Sequence, residues 1–258
     1  MIQLQSSSPP AVIYPDSDGQ PMADNTKQFR WIVVIKGNLD WLFADDPNVF
    51  VAGDLLWYPV EGDNKIRVAP DVMVASGRPK GDRGSYKQWE EDNLPPQVVF
   101  EILSPGNTRA EMNRKLLFYH QYGVDEYYLY DPDSDRLKGW LRRDGFLDVI
   151  EPIDNWVSPQ LNIRFDTSAS ELQLFHPNGQ RFLNYVEIAQ RAEEEHQRAE
   201  EERLRAEEEH QRAEEEHQRA EEEHQRAEEE RQRADVAEDK ATRLAERLRK
   251  MGIDPDQV

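Results

Sequence analysis

The chain has no cysteine, no uninterrupted apolar run longer than the five residues Trp31–Ile35, and no aromatic residue after Tyr185. Positive charge is also scarce: 32 Lys and Arg stand against 52 Asp and Glu, for a formal net charge of −20. Without cysteine there is no disulfide framework, thiolate zinc site or dithiol redox pair, which suits a reducing cytoplasm. Spanning a bilayer takes roughly 20 consecutive apolar residues, so no membrane segment is expected. The opening MIQLQSSSPPAVIYPDSDGQP lacks a basic stretch followed by an apolar one and does not read as a secretory signal. The acidic balance argues against nucleic-acid binding by overall charge, because affinity for phosphate needs Lys and Arg.

The missing aromatics mark a boundary. Residues 191–258 contain 17 apolar residues, ten of them Ala, and carry half of the net charge. They cannot build a core of their own. From Arg191 the heptad RAEEEHQ recurs, with RAEEERL and RAEEERQ variants. It sets Glu194, Glu201, Glu208, Glu215 and Glu222 four residues before an Arg, the favourable order for pairs worth about 0.2–0.5 kcal/mol each on a helix. Only Ala recurs among apolar positions (192, 199, 206, 213, 220, 227), a thin seam for a coiled coil. Ala234, Ala237, Ala241, Leu244, Leu248 and Met251 form a better stripe. Residues 184–251 are therefore expected as one long charged helix, with a solvated rod and a self-associating coil both left open. His210, His217 and His224 are about 10 Å apart along such a helix, too far to share an ion.

Ahead of that helix, residues 1–23 are rich in Ser, Pro and Asp and read as a flexible arm, 24–183 as the folded domain, and 252–258 as a disordered end. Asn25 and Gln28 suggest a capping box opening a helix over 26–44, with Ile32, Ile35, Leu39 and Leu42 on one face. Phe50–Val60, Ile66–Ala75 and Gln97–Leu103 read as strands. A helix follows over Thr108–Tyr122, with Met112, Leu116 and Tyr119 on one face and Gly123 ending it. Glu126–Tyr130 and Leu137–Leu141 are further strands. This order predicts an α/β domain, a mixed sheet flanked by helices.

Two carboxylates stand where apolar residues would be expected. Glu101 lies inside Val98–Leu103, and Asp71 opens the run Val72–Val74. An ionised carboxylate in such a place needs a cation or a donor network. If the two strands are neighbours, the acids converge and form an oxygen-rich site for a hard cation such as Mg²⁺ or Mn²⁺. Such an ion can stabilise charge on a phosphoryl oxygen. Lys115, on the helix after the Glu101 strand, is the candidate partner for developing negative charge, and Glu111, four residues earlier, is an auxiliary acid. Plainer readings stand beside these: Asp71 as a turn residue, Glu101 paired with Arg109 or Arg114, Lys115 solvated. Local positive charge for phosphate comes from Arg78, Lys80, Arg83 and Lys87 in the loop between the two strands, with Arg109 and Arg114 as a smaller supply.

Taken together, Pro70-Asp71, Glu101-Ile102-Leu103-Ser104-Pro105, Lys115, Tyr119, Gly123-Val124-Asp125-Glu126-Tyr127-Tyr128 and Asp131-Pro132 resemble the Uma2 family, within the PD-(D/E)XK restriction-endonuclease-like superfamily and abundant in cyanobacteria. The likeness covers roughly residues 25–165. It implies a restriction-endonuclease-like core that hydrolyses DNA phosphodiesters with Mg²⁺ or Mn²⁺, Asp71 and Glu101 as metal ligands and Lys115 as the catalytic lysine. The superfamily places a lysine two residues after the glutamate. Leu103 occupies that position here, so the lysine would have moved to the next helix. Many superfamily members add an acid from the first helix, for which Asp40 is the candidate. The alternative is a catalytically inactive nuclease-like fold that acts as a binding or assembly module through its C-terminal helix. Oligomers formed through that helix and a cytoplasmic location complete the expectations.

Overall fold

A computed structural model describes residues 12–19 and 21–252 and divides the chain into two units, residues 1–188 and 189–258. The first unit is built on a six-stranded sheet. Helix α1 (Thr26–Leu42) precedes β1 (Val49–Gly53), β2 (Trp57–Tyr58), β3 (Val72–Ser76), β4 (Tyr86–Lys87) and β5 (Val98–Ile102). Helix α2 (Arg109–Tyr122) then leads to β6 (Glu126–Asp131), β7 (Arg136–Arg143), β8 (Phe146–Val149), β9 (Arg164–Asp166) and β10 (Gln173–Phe175). The sheet order is β1-β3-β5-β6-β7-β8. Within this sheet only the β5–β6 pair is parallel. That pair is joined by α2, since parallel neighbours need a crossover long enough to return to the same edge.

Alternation along the strands sends side chains to two different cores. Val72, Val74, Val98, Phe100, Ile102, Tyr128 and Tyr130 meet α1 (Trp31, Ile32, Ile35, Leu39) and the β9–β10 hairpin on one face. Phe50, Ala52, Met73, Ala75, Val99 and Tyr127 meet Tyr119 and Val124 on the other, together with Trp57 and Tyr86 from the small β2–β4 pair. Glu101 has the parity of Val99, and Asp71 that of Met73. Both carboxylates therefore belong to the face that α2 covers.

Helix α1 ends two residues short of the expected 44, and its capping differs in part. Asn25 accepts from the Gln28 N–H at 2.8 Å, as a cap should. The Gln28 side chain, however, accepts from Asp24 N–H at 2.8 Å and donates to the Ile102 carbonyl at 3.0 Å. It ties α1 to the strand that carries Glu101. The full capping box occurs instead on α2, between Thr108 and Glu111. Gly123 ends α2 with a φ of 95°, a left-handed conformation that glycine adopts without steric penalty.

The expected strand Phe50–Val60 breaks at Asp54, whose φ is 49°, so that Trp57–Tyr58 pairs elsewhere. The β7–β8 hairpin, absent from the sequence reading, turns at Asp144-Gly145 with φ values of 47° and 86°, the pattern of a two-residue mirror-image turn. The arm reading does not hold for residues 13–15: Tyr58 Oη donates to the Pro15 carbonyl at 2.7 Å, Asn64 Nδ2 to Ile13 at 2.7 Å, and Tyr14 packs edge-on against Tyr58. The disorder expected over residues 1–11, 20 and 253–258 falls outside the described residues.

In the second unit, α3 (Tyr185–Lys250) continues as one helix with no buried residue. The i,i+4 pairs recur along it, as in Arg219–Glu215 at 3.7 Å and Arg226–Glu222 at 3.9 Å. These two run from Glu to the Arg four residues later, as the heptad predicts, whereas Arg191–Glu195 at 3.1 Å runs the other way.

Candidate active site

The register of β3 against β5 pairs Val72 with Phe100 and Met73 with Val99. Continued by one residue, it sets Asp71 directly opposite Glu101. Only 8% of Asp71 and 2% of Glu101 is exposed. Asp71 Oδ2 accepts from the Ile102 N–H at 2.6 Å, so the side chain takes the place of a ladder bond where the pairing ends. Glu101 is held from the helix side: Lys115 Nζ donates to Oε2 at 2.7 Å, and the Tyr119 hydroxyl donates to Oε1. Residues 115 and 119 are one turn apart on α2, so both reach the same carboxylate.

Two buried carboxylates share one ammonium, and the ionisation equilibria show the imbalance. Burial, and next the Glu101 charge, push the Asp71 carboxyl up to about 8, against the opposing pull of Lys115 and the Ile102 N–H. Burial acts to lower the Lys115 ammonium, yet Glu101 and Asp71 together hold it above its ordinary value. Burial first, and then Glu101, keep the Tyr119 phenol protonated far above its ordinary value. Lys115 is thus a fixed cation and Tyr119 a fixed donor.

Once both carboxyls are ionised, the oxygen-only donor pair carries one negative charge more than Lys115 compensates, which suits a hard divalent cation. Asp71 and Glu101 are the residues that would hold it. Among the described residues no group of three or more Asp, Glu, His or Cys is gathered closely enough to hold a metal ion. The pair would therefore share its ion with water or substrate oxygens.

The other expected residues fall elsewhere. Glu111 closes the α2 cap, its carboxylate accepting from Asn107 Nδ2 at 3.2 Å and from the Thr108 N–H at 3.5 Å. It reaches Lys115 only through its charge. Asp40 pairs with Lys36 at 2.5 Å on the surface of α1. The loop cations are occupied within the chain. Arg78 and Arg83 converge on Glu91 at 2.8 and 2.6 Å, with Arg83 also lying 3.9 Å over the Phe50 ring. Lys80 donates to the Phe43 and Ala44 carbonyls at the end of α1, and Lys87 lies 3.3 Å from Glu90. Arg109 and Arg114 are exposed on α2 and have no ion-pair partner among the described residues.

One acid was not foreseen. Continuing the β1–β3 register sets Asp54 opposite Asp71, and the Asp54 N–H donates to the Asp71 carbonyl at 3.3 Å. Burial, Asp18 and Glu101 raise the Asp54 carboxyl, so the field of the site reaches it. Its sequence signal was a carboxylate directly after Gly53 at the end of an apolar strand, the same signal that Asp71 gives at the start of one.

The family model for Uma2, described as "putative restriction endonuclease", matches residues 20–174. The chain belongs to the Uma2 family. Asp71, Glu101, Lys115 and Tyr119 all lie inside the matched region, and the mixed α/β sheet is the fold class that membership implied. Among solved structures, a "putative nuclease belonging to DUF820" from Anabaena variabilis is similar, at 16% identity and a TM-score of 0.40, over 55% of the Uma2 chain and 78% of its own. No curated protein matches the chain. Among the described residues no helix is long and apolar enough to cross a membrane.

Proposed function

We propose that this Uma2 chain is a cytoplasmic, Mg²⁺- or Mn²⁺-dependent endonuclease that hydrolyses DNA phosphodiester bonds. The observation that carries the reading is the buried pairing of Asp71 with Glu101 beside the ammonium of Lys115, 2.7 Å from Glu101. Asp71 and Glu101 would hold the ion, which when bound polarises a phosphoryl oxygen and lowers the pKa of a bound water. Lys115 stays protonated, so it does not act as a base. It fixes the Glu101 carboxylate and sets a positive charge beside the place where negative charge develops on the phosphate. Tyr119 donates to the second Glu101 oxygen and locks its rotamer, so that the carboxylate keeps one orientation. The surrounding strands exclude water and strengthen each of these interactions.

Purified protein incubated with supercoiled plasmid and Mg²⁺ or Mn²⁺ tests the reading. Nicking by the parental chain and none by Asp71→Ala is expected; equal nicking by the variant removes the assignment.

The exposed helix α3 supports a second reading, in which the unit at residues 189–258 serves as an assembly surface for copies of the chain. Leu244 and Met251 are exposed, on a stripe that continues through Ala241. Light scattering decides this: a mass above the 30.2 kDa monomer supports assembly, and a monomer at all concentrations excludes it.

A further inference from the structure

Beside the paired carboxylates, on the same face of the sheet, a groove of 440 Å³ runs between α2 and strands β6 and β7. The half-buried Leu103, Leu116, Leu129 and Trp140 give it an apolar floor. Arg109 and Lys138 stand exposed on its walls with no ion-pair partner among the described residues, whereas Arg136, also on the wall, pairs with Asp131 at 3.6 Å. Tyr127, which lines the groove as well, is fully buried, and its hydroxyl has no hydrogen-bond partner among the described residues.

The groove adjoins the site along the sheet. Glu101 lies directly opposite Leu129, and Leu129 directly opposite Lys138. At about 4.8 Å between strands, the Lys138 backbone lies roughly 10 Å from that of Glu101. Leu116 adjoins Lys115 in sequence, and the Tyr127 ring packs 5.0 Å from that of Tyr119. A ligand in this groove would therefore extend from the carboxylates, with an apolar part on the floor and anionic groups at the rim.

We infer that this groove holds a nucleotide of a single-stranded DNA segment flanking the bond to be cut, its base on the Leu116–Trp140 floor and its phosphates against Arg109 and Lys138. The inference rests on the nuclease reading for the placement of the strand. A base can reach an apolar floor only when it is unstacked and unpaired, so single strands should be preferred over duplex. The chain's net negative charge makes the local pair of unpaired cations the element that phosphate can find.

The test measures binding without cleavage. Fluorescein-labelled oligothymidine is titrated by anisotropy with the full-length chain in chelator, and plasmid nicking is assayed separately with Mg²⁺. The double variant Arg109→Glu/Lys138→Glu, in which both changed residues are exposed, should bind at least about tenfold more weakly and lower the salt slope by about two. The charge-matched control Lys65→Glu/Lys240→Glu should bind as the parent does. A strand of the same length with abasic sugars should bind about tenfold more weakly than oligothymidine. Binding that is absent in the parent, equal in parent and groove variant, or equal for duplex and single strand overturns the inference. Groove-dependent binding without nicking upholds the groove and removes the hydrolase reading; nicking with groove-independent binding does the reverse.

Discussion

Lys115 Nζ lies 2.7 Å from Glu101 Oε2, fourteen residues away along the chain and on a different element. The ammonium reaches the carboxylate from α2; the next residue of the same parity, Leu103, lies just past the end of β5 and lines the apolar groove. A helix-borne lysine thus stands beside Glu101, where the strand itself offers no cation.

Replacing Lys115 separates charge from packing. Lys115→Met should reduce plasmid nicking about 100-fold, the scale of losing one preorganised charge at a reacting oxygen. It also leaves Glu101 buried without its cation, which should lower stability by about 3 kcal/mol in urea unfolding. Lys115→Arg keeps the charge and should recover most of the stability but less of the activity, because the planar guanidinium presents its donors differently. Full nicking by Lys115→Met would show that the ammonium has no part in the chemistry.

The Asp71 carboxyl, raised from 3.8 to about 8, makes a signed prediction for the chelated protein. Its ionisation is disfavoured in the folded state, so the parental chain loses stability as pH rises from about 4 to about 8. Asp71→Asn does not carry that loss. The variant should be the more stable of the two at pH 8, by about 1–3 kcal/mol, and the difference should shrink towards pH 4. Adding Mg²⁺ should raise the melting temperature of the parent and not of the variant. A difference that is flat with pH would contradict the buried like-charge pair.

Tyr119→Phe removes one oxygen and little volume. With its Oε1 acceptor left without a donor, Glu101 should lower stability by about 1–3 kcal/mol. Nicking should also fall, with the loss in kcat rather than in DNA affinity, because the hydroxyl orients Glu101 and does not meet the phosphate. A loss confined to affinity would place Tyr119 in DNA binding instead.

Arg83 contrasts with the groove cations. Its guanidinium bonds Glu91 and covers Phe50, so Arg83→Ala should cost about 1–2 kcal/mol of stability, measured by urea unfolding. Oligothymidine affinity should stay at the parental value. A parallel loss of affinity would return the 78–87 loop to the DNA-binding surface.

Much of the architecture was legible. Period 3.6 in α1 and α2, short apolar strands between turn residues, and glycine at position 123 are local signals, and each element answers to them. Position 101 was conspicuous for the same reason: a carboxylate inside an apolar strand is anomalous whatever surrounds it. The short β2–β4 pair and the β8–β10 strands escaped because two to four residues carry too little periodicity to stand out. The loop basic residues misled because sequence counts charges and not partners; Glu91 lies eight residues from Arg83 and thirteen from Arg78, and only the folded loop brings all three together.

The order of residues by itself determined that the chain would have an aromatic, sheet-forming first part and an Ala-, Glu- and Arg-rich helical second part, because periodicity and burial propensity are written residue by residue. It also marked Asp71 and Glu101 as acids in apolar settings. Which acids meet was decided only by the register of β3 on β5, extended by β1 to Asp54. Which cations remain available to a ligand was decided by what else lies within hydrogen-bond reach. Both are long-range pairings, set by strand alignment and packing, and no local pattern encodes them.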